Sequence, residues 1–325
     1  MTLEPRAVVN AQSGALVGLR RVFSFPVFLG ALLVAGVFLN LCVRLQNDAS
    51  LPTGHWFISF LEGDTFWHIA AAERILETHA WPATNFYSFT APNSAWLDYQ
   101  WLGEVVMAAA SRLGGLSGLM ALLLALASTI LLLLYYYAYL RSGNAKAALA
   151  ACAVVFPLLG VCFTLRPQLL GYVFLLVVLI CLERYRQGRQ KSLWVLPGVF
   201  VLWVNTHGTF SFGLLAIAVY WAAGLPAIRL GALESRPWAP SQRRHLALVL
   251  LLCILGLLLN PYGPRLLYGL AEPYSQPLVM AYVDEWRPLA FNEFFGKWFL
   301  VLLFLFLLAP IIWRFRPRLS SSARR

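Results

Sequence analysis

The stretch EGDTFWHIAAAERILETH, Glu62 to His79, sets Glu62, Asp64, His68, Glu73, Arg74, Glu77 and His79 within one short segment. Asp64 and His68 are four residues apart, so a helix places them on one face. A carboxylate and an imidazole so arranged suit general-base chemistry or the holding of a divalent cation. Asp64 is equally well placed as the cap of a helix start, where an acid is favoured, and His68 as an interfacial histidine. Further along, Asp98 and Glu104 flank Tyr99, Gln100 and Trp101. That group suits an acidic contribution to a site together with an aromatic ring stacked on a sugar face, or a plain helix start. Arg166-Pro167-Gln168 forms a tight joint between two apolar runs, and Arg166 there suits a phosphate or simple snorkelling. Asn205 and His207 end a short apolar run in WVNTHGTF, and polar groups at membrane depth are functional candidates by default. Asp284, Glu285, Trp286 and Arg287 complete the set, as a mutual ion pair or as a lid.

The elements around these residues are those of a membrane protein. Hydrophobic residues make up 60% of the 325, charged residues 12%, and the mean hydropathy is +0.70. Those values exclude an ordinary soluble domain. Eight apolar runs are expected as spans: 23–43, 115–140, 147–165, 169–182, 193–204, 210–228, 246–259 and 298–313. The fifth is short enough to be broken or re-entrant. The expected fold class is therefore all-α, a polytopic helical bundle forming one transmembrane domain over residues 1–325.

Charge alternates between the connecting segments. Eighteen of the 25 basic residues fall on one side and eleven of the 14 acids on the other. The positive-inside rule makes the basic side cytoplasmic, with both termini there, and an even number of spans agrees. The basic residues before the first run, Arg20 and Arg21, resemble a signal peptide, but the run is long and a retained first span is expected. Two loops are then extracytoplasmic, residues 44–114 and 260–297. The first should carry two amphipathic surface helices, one over the Asp64 stretch and one from LDYQW to Gly115. The net charge of +11 follows from this asymmetry, and no nucleic-acid partner is expected. The five cysteines lie in or beside apolar runs without metal-ligand spacing and are expected to be small buried thiols.

No phosphate-binding loop, GxGxxG, HExxH or GxSxG is present. Nucleotide substrates are not expected outside the cell, so an enzyme there would draw on a substrate already activated in the membrane. A lipid-phosphate-linked sugar meets that need. A transporter would instead set polar groups near the middle of several spans.

This pattern resembles the polytopic GT-C glycosyltransferases, which use polyprenyl-phosphate-linked sugars and carry an acid in a large first outer loop. GDTFWHIA, WPATNFYSFT, WLDYQWLGEV, LRPQLLGY and LWVNTHGTFSFGL also resemble bacterial membrane proteins grouped loosely with that superfamily, over most of residues 20–290. The resemblance implies an inner-membrane glycosyltransferase whose family acid maps onto Asp64, as base for the acceptor or as ligand of a divalent cation. Glu62-Gly63-Asp64 has the spacing of an acid pair but begins with Glu. On this reading Asp64 and His68 are catalytic, with the same two as the metal ligands. Trp101, Glu104, Arg166, Gln168, Asn205, His207, Glu285 and Arg287 bind substrate. The partners are a polyprenyl-phosphate-linked sugar and membrane lipid. The alternatives are a non-catalytic component of envelope-polysaccharide assembly or export, and a secondary transporter.

Overall fold

The computed structural model describes residues 24–49, 63–89, 93–227, 229–230, 233–234, 237–271 and 289–314. Among the described residues the fold is helical apart from a two-residue antiparallel ladder, Arg229–Leu230 against Leu233–Glu234, and an isolated antiparallel bridge between Thr84 and Ala95. Among the described residues, three helices are long and apolar enough to cross a membrane: α1 (Phe25–Ala49), α3 (Trp101–Ser142) and α5 (Gln168–Arg186). Shorter apolar helical stretches cover residues 145–160, 190–204, 210–223 and 294–308. The chain packs as two compact units, residues 1–80 with 101–189, and residues 81–100 with 190–325.

In the first unit, α3 is the central helix and packs against α1, α2 (Gly63–Thr78), α4 (Ala145–Val161) and α5. The reason is visible in the spacing. Leu29, Leu33, Val37 and Leu41 recur every fourth residue along α1, and Leu119, Leu123, Ala127 and Ile130 make the matching stripe on α3. These stripes close on Phe163, Leu165 and Leu169 from the joint between α4 and α5. Gly114 and Gly115 interrupt α3, Gly115 with φ +53°, a conformation that L side chains rarely adopt. The interruption falls where the sequence changes from surface-helix to span character. Just beyond it Gly118 lies against the Ala110 carbonyl, in the space a Cβ would fill.

The far end of this unit is held by charge. Glu183, fully buried, accepts hydrogen bonds from Arg141 (3.0 Å), Arg186 (2.7 and 2.9 Å) and Gln187 (2.9 Å). The pairing with Arg141 joins the C-terminal turns of α3 and α5. Asn144 caps α4 by accepting from the N–H groups of Lys146 and Ala147.

The second unit holds α6 (Leu196–Val204), α7 (Phe210–Ala223), α8 (Pro240–Gly256), α9 (Arg265–Ala271) and α10 (Phe294–Arg314). The fifth apolar run is built in two pieces, a 3-10 segment Gln190–Val195 followed by α6. Pro197 at the start of α6 is tolerated because the first turn has no use for its missing N–H. α8 packs on both α6 and α7. Of the five cysteines, Cys152, Cys181 and Cys253 are buried as expected and Cys42 is half-buried, whereas Cys162 at the end of α4 is exposed.

Candidate functional site

The Asp64 stretch is helical as the spacing required, and α2 begins at Gly63 with Asp64 in its first turn. Ala71 and Ala72 are fully buried, which lets the helix approach α3 closely. Its N-terminus is fixed to the joint between α4 and α5. Thr65 Oγ1 donates to the Leu165 carbonyl at 2.9 Å, in a fully buried contact. Beside it, Arg166 Nη2 lies 3.0 Å from Asp64 Oδ2, with the carboxylate 45% and the guanidinium 22% exposed. Trp67 Nε1 donates to the other carboxylate oxygen at 3.1 Å. Asp64 therefore holds a cation from another element and an indole from its own helix, and keeps nearly half its surface open.

His68 differs from the expectation of a ligand-facing imidazole. It is buried and its Nδ1 lies 2.7 Å from Glu104 Oε1, with the two side chains 3% and 0% exposed. Trp67 covers its ring at 3.9 Å between centroids. Glu104 is likewise enclosed where a substrate contact was expected, because it enters the α2–α3 interface one turn into α3. Trp101, at the first residue of α3, is half-buried. Gln168 donates through Nε2 to the Tyr172 hydroxyl one turn along α5. On the outer face of α2, Arg112 clamps Glu73 through Nε at 2.9 and 3.0 Å. That hydrogen bond holds the Glu73 carboxyl below the usual carboxylate value.

Asn205 and His207 belong to the second unit. Asn205 is buried and its Nδ2 donates to the carbonyls of Val201 (2.7 Å) and Leu259 (2.9 Å), so it staples the end of α6 to the chain after α8. His207 Nδ1 accepts from the Thr209 N–H at 3.2 Å, and its ring meets the edge of Tyr99 at 6.5 Å. Tyr262 holds the 81–100 segment in this unit. Its hydroxyl accepts from the Asp98 N–H (3.1 Å) and donates to the Pro82 carbonyl (3.2 Å). Asp98 itself is buried, not solvated, and its Oδ1 accepts from the Gln100 N–H.

Glu285 and Arg287 lie outside the described residues, as does Glu62. Among the described residues no group of three or more His, Cys, Asp or Glu is gathered to hold a metal ion. The Asp64 and His68 pair expected as metal ligands is divided between Arg166 and Glu104. Among the described residues these side chains do not make a cation site.

Spacing did not single out Thr65, Asn40 or Arg44. Thr65 was hidden by its ordinary polarity. Asn40 and Arg44 carried a readable signal, an amide and a guanidinium four apart near the end of the first span. They border a cavity of about 300 Å³ with Phe156, Pro157 and Gly160. No family model, curated protein or solved structure matches the chain.

Proposed function

We propose that the protein is a membrane glycosyltransferase that moves a sugar from a polyprenyl-phosphate-linked donor to an acceptor on the extracytoplasmic face. Eight spans in an inner membrane, with both termini cytoplasmic, give this arrangement. The observation that carries the reading is the half-open Asp64–Arg166 pair, anchored by the buried Thr65–Leu165 contact. Asp64 accepts the proton of the acceptor hydroxyl. The hydroxyl oxygen then bonds to the anomeric carbon as the bond from that carbon to the phosphate oxygen breaks. The phosphate leaves with the electron pair, and Arg166 stabilises its charge. Donor binding draws the guanidinium toward phosphate and releases Asp64 for the base role. His68 and Glu104 act beneath this pair as positioning residues, since both are enclosed.

The experiment is a comparison of lipid extracts from a deletion strain, its parent and strains complemented with the natural chain or Asp64→Asn. A lipid-linked sugar should accumulate in the deletion strain, persist with Asp64→Asn and clear with the natural chain. Clearance by a well-expressed Asp64→Asn protein would refute the base role. The second reading, a non-catalytic component of polysaccharide assembly, is favoured by the burial of His68, Glu104 and Asn205 as structural groups. It predicts loss of polymer with no accumulated lipid-sugar and full rescue by Asp64→Asn.

A further inference from the structure

The cavity between α1 and α4 lies outside the machinery described above. Asn40 and Arg44 come from α1, one turn apart, and Phe156, Pro157 and Gly160 from α4. Both helices reach their C-terminal ends here. Arg44 Nη1 donates to the carbonyls of Gly160 (3.0 Å) and Phe163 (3.2 Å), so the guanidinium ties the end of α4 to α1 and borders the cavity as well. Arg44 stands two residues before the end of the apolar stretch Phe25–Gln46, which is headgroup depth if α1 crosses a bilayer.

Asn40 Oδ1 is buried in the cavity wall with no hydrogen-bond partner in the structure. A buried amide oxygen left unsatisfied is destabilising, and the missing partner must be a donor. Gly160 keeps the space open. A Cβ there would stand 3.7 to 3.9 Å from Asn40 and Phe156, ordinary contact, so Ala fits and a larger side chain fills the void. Phe38, Leu39 and Val43 of α1 present exposed apolar surface close by in sequence. The site thus combines a cation, an acceptor awaiting a hydroxyl, apolar walls and apolar surface nearby. Its volume, about 300 Å³, suits a headgroup and the start of one chain, not a whole lipid.

We propose that this cavity binds an anionic phospholipid whose headgroup carries a hydroxyl. The phosphate meets Arg44, the hydroxyl donates to Asn40 Oδ1, and one acyl chain runs along Phe38 and Leu39. The proposal needs only that α1 and α4 lie in a bilayer, and it stands whether or not the protein transfers sugars. It is tested by native mass spectrometry of the full chain released from nanodiscs of mixed phosphatidylglycerol and phosphatidylcholine. The natural chain and Gly160→Ala should retain phosphatidylglycerol about tenfold over phosphatidylcholine, equivalent to about 1.4 kcal/mol. Gly160→Leu should lose it. Arg44→Gln should abolish the preference, which keeps the test decisive where Gly160→Leu fails to fold. Free glycerol phosphate should not compete, because it lacks the chain. Equal retention by Gly160→Leu and the natural chain, equal binding of the two lipids, or competition by glycerol phosphate would each overturn the proposal.

Discussion

In the first unit, titratable side chains meet across elements: Asp64 with Arg166, His68 with Glu104, Glu73 with Arg112, and Glu183 with Arg141. In the second unit Asn205, Asn260, Trp203 and Trp238 make neutral contacts with backbone or with a hydroxyl. Asn205 and Asn260 donate amide N–H groups to carbonyls, Trp203 Nε1 donates to Thr209, and Trp238 Nε1 donates to the Tyr220 carbonyl. A neutral contact holds backbone that helix ends leave unsatisfied. A charged pair is a costly way to do the same, and a half-exposed one contributes little to stability. Charge at Asp64 and Arg166 therefore calls for a reason beyond folding, whereas these four neutral contacts are sufficiently explained by it.

Substitutions can break or sharpen this contrast. The largest effect should come from Asp64→Asn, with transfer from a lipid-linked sugar donor falling about 10²–10⁴-fold at unchanged thermal stability. Next is Glu104→Ala. It removes one partner of a buried pair, and such losses cost about 3–5 kcal/mol, to be read as a fall in unfolding free energy in detergent. Asn205→Ala in the second unit should cost less, about 1–3 kcal/mol, because it leaves two carbonyls without a donor and no charge without a counterpart. If Asn205→Ala proved worse than Glu104→Ala, the contrast between the units would be lost.

The smallest effect is expected at the exposed Glu73–Arg112 pair, where Glu73→Gln should cost under about 1 kcal/mol. Its pH dependence has a definite sign. The folded-state carboxyl sits below its ordinary value, chiefly through the Arg112 hydrogen bond. The pair's contribution is thus complete above the unfolded carboxylate pKa and disappears as pH falls through the folded one. A stability titration from neutral to acid pH should show a shallower loss in Glu73→Gln than in the natural chain, and identical curves would contradict it.

Much of the helical frame was legible. Four-residue apolar spacing in α1 and α3, the charged α2 with its apolar stripe, and paired glycines at 114–115 each carried local signals. Arg166 could be named because an arginine in so tight an apolar joint is unusual. Which carboxylate it meets could not, since Asp64 and Arg166 are brought together by the packing of α2 on α3 and α5 on α3. The same non-local packing turned His68 inward onto Glu104: helical spacing places two residues on one face but does not say which neighbour that face meets. Asn205 read as a site residue from its depth, yet its position at the helix end supplies carbonyls to satisfy. The division into two units cuts twice across residues 44–114, between residues 80 and 81 and between 100 and 101, and nothing in the composition of that stretch marks either place.

The side of the membrane that carries α2 decides the account, because a lipid-linked sugar donor is needed only where nucleotide sugars are absent. Glu77 is exposed on α2, and Cys162 is the one exposed cysteine among the described residues. A membrane-impermeant maleimide applied to intact cells should label the Cys162→Ala/Glu77→Cys protein and leave Cys162→Ala alone unlabelled. Labelling of Glu77→Cys only after permeabilisation would place α2 in the cytoplasm and contradict the proposed function.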